Sequence, residues 1–230
     1  MLLSVICFSV MDILVKLTTS NYPIGEIAFF RGLFGLIPIF FLIPKNKIFT
    51  FFKTNKPTLH FIRAFAGTFA MISTFIGVKY MKLADVVSIA QATPVFVTIF
   101  SIIFLKEVVG YRRWLSVIAG LIGVLFITKP GTSVFNIYCI FPIFFCIGFS
   151  IVAVSIKRLS KTEPDYLIAF YFTALLIIVS SAAIFFEEWK MPNILDFFYL
   201  CMIGICGSIA NLFMTTAYRR ADASLITPLK

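Results

Sequence analysis

The sequence predicts an all-α polytopic membrane protein, built as an inverted repeat of five-helix units. Three observations support this fold class. Charged residues make up only 13% of the 230 residues while hydrophobic ones make up 60%, and a soluble domain carries about twice that charged fraction. Long uncharged tracts recur along the chain, and two segments match each other at a nearly constant offset. We expect eight full transmembrane helices and a truncated ninth.

The first three predicted spans, 1–17, 24–44 and 59–78, contain charged residues within apolar stretches. A bilayer core about 30 Å thick needs roughly 20 apolar residues per helix. Charges inside a membrane are costly, so those of the first two spans are candidate functional residues. We count Arg63, near the start of the third span, with the basic residues of the loop before it. The candidates are Asp12, Lys16, Glu26 and Arg31.

The next five predicted spans contain no charged side chain; they are 86–105, 114–128, 136–156, 166–186 and 197–218. They do not alternate polar and apolar residues, which argues against a transmembrane β-barrel. A ninth apolar segment begins at Ala221 and reaches only Lys230. By comparison with the first repeat, we expect the second to lack about 40 residues, or about one and a half spans.

The net charge of +10 is distributed unevenly between the loops. Basic residues concentrate in the second, fourth, sixth and eighth loops, and the first loop, "TTSNYP", has none. This bias predicts a cytoplasmic N-terminus, because basic loops stay on the cytoplasmic side. The basic charge therefore indicates orientation, and we expect no nucleic-acid partner.

An internal repeat relates the two halves of the chain. Segment 13–33 matches segment 154–174 with an offset of 141 residues, so that Lys16 meets Lys157 and Pro23 meets Pro164. Ala84 meets Ala221 with an offset of 137. Five spans are an odd number, so the second copy crosses the membrane in the opposite direction. We predict a first repeat at 1–131, with helices one to five, and a second at 132–230, with helices six to the start of nine. A duplication kept only for bundle stability stays an alternative.

These segments resemble the EamA-type members of the drug/metabolite transporter superfamily. The resemblance rests on Lys16 at the end of the first helix, on "EIAFFRG" at 26–32, and on segment 84–131 with Pro94, Glu107, Trp114, Gly120 and Gly123. The chain departs from the family pattern in lacking the second "L-x-E…G" stretch. The resemblance implies ten helices in two repeats, with helices one to four and six to nine around the substrate.

The resemblance implies a secondary transporter in the bacterial inner membrane that works by alternating access. Its substrate would be a small polar metabolite, such as an amino acid or a nucleoside-type compound like S-adenosylmethionine. A non-transporting, truncated remnant of such a carrier is the alternative. The chain has no phosphate-binding glycine-rich loop, so we expect proton coupling or exchange rather than ATP as the drive.

Asp12 and Arg31 are expected at similar depth, ~9 Å and ~12 Å from the first loop at 1.5 Å per residue. Lys16 and Glu26 are also level with each other, nearer the surface. Such opposite charges can form a gate or a substrate site, or a permanent structural ion pair. The gate or substrate-site interpretation is favoured over a structural ion pair, because the repeat equivalents of Asp12, Glu26 and Arg31 are uncharged. These equivalents are Ala153, Leu167 and Phe172.

Polar residues in the later spans are further candidates for substrate contact. Gln91, Thr93 and Asn211 could bind substrate or form interhelical hydrogen bonds, and Tyr171 could stack on a planar substrate. Pro94 removes a helix hydrogen bond, which is tolerated where the backbone lines a cavity. We interpret Glu107 as a helix-end residue and Gly120 and Gly123 as helix-packing positions.

An enzyme, a metal site and a resident cofactor are not predicted. The single histidine and the ten acidic residues form neither H-E-x-x-H nor a nucleophile with its base. The five cysteines all lie in apolar tracts, without metal-ligand spacing. The expected partners are a small-molecule substrate and the lipid bilayer.

Overall fold

The structure is a computed structural model that describes residues 1–44, 52–107, 109–111, 114–115, 118–120, 122–123, 137–186 and 188–221. This described part consists of helices and short connections. The helices are α1 (Leu2–Thr18), α2 (Ile24–Leu42), α3 (Pro57–Tyr80), α4 (Leu83–Ala90), α5 (Thr93–Phe100), α6 (Ile140–Leu159), α7 (Asp165–Ile184) and α8 (Ile194–Arg220). A π-helical turn, Ser101–Leu105, extends α5, and a 3₁₀ turn, Ile137–Cys139, precedes α6.

Six helical stretches of the described residues are long and apolar enough to cross a bilayer. They are Ile24–Leu42, Pro57–Tyr80, Leu83–Leu105, Ile137–Leu159, Asp165–Ala183 and Ile194–Arg220. The prediction of a polytopic helical membrane protein is thereby confirmed, while the count of eight full helices and a truncated ninth stays a prediction. Residues 222–230 of the ninth span lie outside the described residues. Of the fifth predicted span, 114–115, 118–120 and 122–123 are described, and they are helical.

Prolines and a capping asparagine set the starts of several helices. Pro23 and Pro164 immediately precede α2 and α7 in extended conformation, and Pro57 is the first residue of α3. Proline is suited to a helix start because it has no backbone N–H, and an N–H at that position would have no intrahelical acceptor. The side chain of Asn193 accepts a hydrogen bond from the backbone N–H of Asp196 at 2.8 Å, which caps α8.

The fourth predicted span is divided into α4 and α5 by a tight, hydrogen-bonded turn at residues 91–92, just before Pro94. Pro94 cannot donate to the carbonyl of Ala90, four residues earlier. The hydroxyl of Thr93 donates to that carbonyl instead, at 2.5 Å, and the thiol of Cys146 on α6 lies 3.7 Å from the carbonyl of Ile89. Residues 91–92 keep right-handed helical dihedral angles, so the helix is distorted before Pro94 but not unwound.

Helices from the first half of the chain pack against helices from the second half. α1 packs against α8, α3 packs against α6, and α2 lies against both α7 and α8. Small residues allow these close approaches. A Cβ added at Gly204 of α8 would lie 2.6 Å from Cβ of Phe34, and one added at Gly148 of α6 would lie 3.0 Å from Cβ of Ala70.

Two lysines cap helix ends in corresponding ways. Nζ of Lys16, on α1, donates to the carbonyls of Val78 and Met81 at the end of α3, at 2.6 and 2.8 Å. Nζ of Lys157, on α6, donates to the carbonyl of Ala221 at the end of α8, at 2.8 Å. The last carbonyls of a helix lack intrahelical donors, so both contacts satisfy otherwise open acceptors.

Candidate functional site

A cavity of about 190 Å³ lies among α1 to α8. Its walls are mostly apolar and aromatic, with a few polar groups, which is the usual composition of a small-molecule site. The polar and charged groups are widely separated in sequence but face one space. They are Ser9, Asp12, Arg31, Arg63, Thr74, Gln91, Thr93 and Asn211.

Two arginines and one aromatic ring form the most polar wall of the cavity. The guanidinium carbons of Arg31 on α2 and Arg63 on α3 lie 5.0 and 4.4 Å from the centroid of the Phe172 ring on α7. Both arginines are buried, with 5% and 1% exposure. Cation–π contact of this kind offsets part of the cost of removing a guanidinium from water.

Not all of the hydrogen-bond donors of these two arginines have an acceptor. Nη2 of Arg63 donates to Oδ1 of Asn211 on α8 at 2.7 Å. Nε and Nη1 of Arg63, and Nε of Arg31, are buried without a hydrogen-bond partner in the described part of the chain. A buried charged donor without an acceptor is costly, so the arrangement is one that an additional acceptor would stabilise.

Glycines make room for both guanidinium groups. A Cβ added at Gly67, one turn after Arg63, would lie 3.0 Å from Nη1 of Arg63 and 3.0 Å from the Phe172 ring. One added at Gly207 of α8 would lie 2.8 Å from Sδ of Met11 and 3.3 Å from Nε of Arg31. The positions of the two charged groups therefore depend on residues that have no side chain.

Asp12 lies on the α1 wall of the same cavity, as the sequence predicted for Asp12 and Arg31 together. The side chain is partly buried, and its negative charge interacts with the guanidinium of Arg31. Arg31 and Arg63 in turn repel each other electrostatically. Among the described lining residues, Asp12, Arg31 and Arg63 are the charged ones, so this wall carries a formal excess of one positive charge.

Gln91, Thr93 and Pro94 line the cavity at the turn between α4 and α5, and Asn211 reaches it from α8. Gln91 is exposed and lies in that turn, while Thr93 is buried. The alternative interpretation of Asn211, an interhelical hydrogen bond, is also seen, because its amide oxygen binds Arg63. Asn211 can both bond Arg63 and contact a substrate, since the Arg63–Asn211 pair itself lines the cavity.

Lys16, Glu26 and Tyr171 lie outside the described cavity lining. Lys16 is used as the cap of α3, and Oε2 of Glu26 accepts a hydrogen bond from the backbone N–H of Lys190 at 3.1 Å. The matched depth of Lys16 and Glu26 therefore does not bring them to one site, because each is held by a different element. Tyr171 donates to the carbonyl of Phe52 at 2.5 Å, and its ring lies 4.5 Å from that of His60.

The remaining predicted structural positions lie at the end of α5 and beyond it. Glu107 follows the π-helical turn, after Lys106 in left-handed conformation (φ 56°), which agrees with a helix-end position. A Cβ added at Gly120 or Gly123 would have no described atom within 4 Å. The close helix contact expected there is therefore not seen among the described residues.

Hydrogen bonds join the two predicted repeats at both ends of the bundle. The hydroxyl of Tyr22, between α1 and α2, donates to Oδ2 of Asp196 at 2.7 Å. At the opposite end, the hydroxyl of Thr54 donates to Oε1 of Glu163, between α6 and α7, at 2.8 Å. Desolvation and the bond to Asp196 raise the pKa of Tyr22.

Arg63 and Phe172 are the functional candidates that sequence reasoning missed. Arg63 was counted with the basic loop before the third span, and Phe172 was noted only as the uncharged equivalent of Arg31. The sequence did contain a signal for Arg63, because it is followed by the small residues Ala66, Gly67 and Ala70 at one-turn spacing. Such a stripe indicates a helix face turned toward the protein interior rather than toward lipid.

Comparison with known proteins supports a transport role. The family model described as the EamA-like transporter family matches residues 1–129. The chain is 27% identical over 232 positions to an S-adenosylmethionine uptake transporter of Rickettsia felis, covering 100% of this chain and 77% of that protein. It is 27% identical over 221 positions to the pseudopaline exporter CntI of Pseudomonas aeruginosa, covering 95% and 77%. An uncharacterized transporter of Helicobacter pylori is 24% identical over 238 positions, with 100% and 80% covered.

Proposed function

Because the chain belongs to the EamA-like transporter family, we propose that it is a secondary transporter of a small polar metabolite. Transport by alternating access requires a central site that each face of the membrane can reach in turn. The cavity among α1 to α8 is suited to be that site, because both predicted repeats contribute to its walls. This shared lining is the observation that carries the proposal.

Helix packing supports an inverted repeat of 1–131 and 132–230. Exchanging the repeats converts the α1–α8 pair into the α6–α3 pair, and both pairs are in contact. The lysine caps follow the same exchange, since Lys16 of α1 caps the end of α3 and Lys157 of α6 caps the end of α8. Gly67 and Gly204, related by the offset of 137, both support close contacts with the second helix of the other repeat.

Two further features suit alternating access in the bacterial inner membrane. The basic loops give an N-terminus in the cytoplasm, which makes the Thr54–Glu163 end cytoplasmic and the Tyr22–Asp196 end external. Opening either end in turn requires breaking the inter-repeat hydrogen bonds of that end, including Tyr22–Asp196 or Thr54–Glu163, while keeping those of the other end. Asp12 is the acidic residue among the described lining residues and the candidate for proton coupling.

The named relatives suggest which compounds to test first. An S-adenosylmethionine uptake transporter and a pseudopaline exporter are about equally similar to this chain, so both uptake and export are open. We therefore propose S-adenosylmethionine and free amino acids as the first compounds of a transport panel.

Counterflow in proteoliposomes is the test of this function. Purified full chain is reconstituted, the vesicles are loaded with one unlabelled compound, and accumulation of the same labelled compound is followed. We expect accumulation above protein-free vesicles for at least one compound. Asp12→Asn and Arg31→Ala should reduce it, and Lys82→Gln, a charge change at an exposed position, should not. No accumulation of any compound by the unaltered chain contradicts the proposal.

A further inference from the structure

The buried arginines of the cavity have more hydrogen-bond donors than acceptors. Three of their nitrogens, Nε and Nη1 of Arg63 and Nε of Arg31, are buried without a partner among the described residues. Native proteins pair nearly all buried polar groups, so a group of orphaned charged donors at one cavity wall needs an explanation. A bound acceptor at that wall provides one.

The charge of the wall indicates the kind of acceptor. Arg31 and Arg63 outweigh Asp12 by one positive charge among the described lining residues. Buried ions are stable only when paired, and their attraction in a low-dielectric site is strong. A group with a single negative charge balances the wall, whereas a doubly charged phosphate would exceed it.

The shape of the wall favours a planar group. Guanidinium groups present parallel N–H donors that match the two oxygens of a carboxylate. The Phe172 ring and the amide of Asn211 restrict the Arg63 guanidinium, and Gly67 and Gly207 leave no side chain between the arginines and their neighbours. The two guanidinium groups are thereby restricted before any ligand arrives, which lowers the entropy lost on binding. Their unpartnered nitrogens are closed to solvent in this structure, so a ligand reaches them only after a small shift of these side chains.

We propose that Arg31 and Arg63 bind a carboxylate of the transported compound. The proposal rests on the transport function proposed above, and it assigns the substrate class: small metabolites with a carboxylate and an apolar or aromatic remainder. The remainder would contact the apolar walls around the pair, which are formed by Met71, Phe75, Phe145, Phe149, Val152 and Met214.

Binding to purified protein tests this assignment separately from transport. Thermal unfolding of the full chain in detergent is measured with each compound of the transport panel and with its carboxamide or methyl ester. We expect at least one acid to raise the unfolding temperature more than its neutral partner does. In Arg63→Gln the affinity for that acid should fall at least about tenfold, since a hydrogen bond to a charged group is worth about 1.5 kcal/mol or more.

Matched variants and anions make each outcome decisive. Lys82→Gln removes the same charge at an exposed site and should bind like the unaltered chain, while Arg63→Lys should keep the charge and recover part of the affinity. Equal stabilisation by acid and amide, no stabilisation by any acid, or stabilisation by inorganic phosphate alone would overturn the carboxylate site. Acid binding without counterflow would instead contradict the transport function and leave the site standing.

Discussion

In the carboxylate site that we propose, the buried side chain of Arg63 gives up stability in exchange for binding. Its guanidinium is 1% exposed, donates one hydrogen bond to Asn211 and lies over Phe172. These contacts orient the group but do not neutralise it. A functional site commonly keeps such a cost, because the compensating partner is the ligand.

Changing Asn211 to Asp should stabilise the protein and abolish carboxylate binding. The new carboxylate would lie at the 2.7 Å contact with Nη2 of Arg63 and cancel the excess charge of the wall. We expect the free energy of unfolding without ligand to rise by about 1–3 kcal/mol, measured by chemical denaturation in detergent. Asn21→Asp, at an exposed loop position, is the control and should change neither property. A less stable Asn211→Asp protein would contradict the excess positive charge.

The sequence alone indicated part of the polar lining of this cavity. Asp12, Arg31, Gln91, Thr93 and Asn211 were predicted from their charge or polarity within apolar spans, and the structure brings all five to one cavity. Depth along a helix was the usable signal, since it follows from a constant rise per residue. Which helix face a residue occupies depends on packing with distant elements, so the partners of Lys16, Glu26 and Arg63 could not be predicted in this way.

At the scale of the helices, composition and proline positions were sufficient for most boundaries. The predicted spans 24–44, 59–78 and 166–186 correspond to helices α2, α3 and α7 within a few residues. The tight turn at residues 91–92 was not predicted, although Pro94 indicated a weakness in the helix. Its position depends on the Thr93 hydroxyl and on Cys146 of α6, which is a tertiary contact.

Lys16→Met should destabilise the end of α3 without changing which compounds are bound. Nζ of Lys16 satisfies the carbonyls of Val78 and Met81, and losing these bonds should reduce the free energy of unfolding by about 1–3 kcal/mol. Chemical denaturation would detect the loss, with Lys82→Gln, at an exposed position just after α3, as the control. A Lys16→Met protein of normal stability but altered ligand preference would favour the gating role instead.

For the whole molecule, hydrogen bonds between the repeats lie at opposite ends of the helix bundle. Tyr22 and Asp196 join the repeats at one end, and Thr54 and Glu163 join them at the other. One turn before Arg63 on α3, the buried ring of His60 packs against the ring of Tyr171, at the end of the bundle where Thr54 lies. A conformational change that opens one end must therefore break a small, identifiable set of contacts.

Tyr22→Phe and Thr54→Val should shift the conformational equilibrium in opposite directions. Each removes one hydroxyl and little else, so each weakens one end by about 1 kcal/mol. Accessibility of Ser9→Cys in the cavity wall, with the five native cysteines replaced, is measured with an impermeant thiol reagent applied outside. We expect faster labelling in Tyr22→Phe and slower labelling in Thr54→Val. A shift in the same direction in both variants would argue against two separate ends.

The most direct test of a carboxylate-selective transporter is counterflow by the unaltered chain and by Arg63→Gln, with Lys82→Gln as control. Each protein is given an acid and its carboxamide from the same panel. The unaltered chain and Lys82→Gln should accumulate the acid but little of the amide, and Arg63→Gln should lose this preference. Equal counterflow of acid and amide in all three proteins would contradict the central role of the arginine pair.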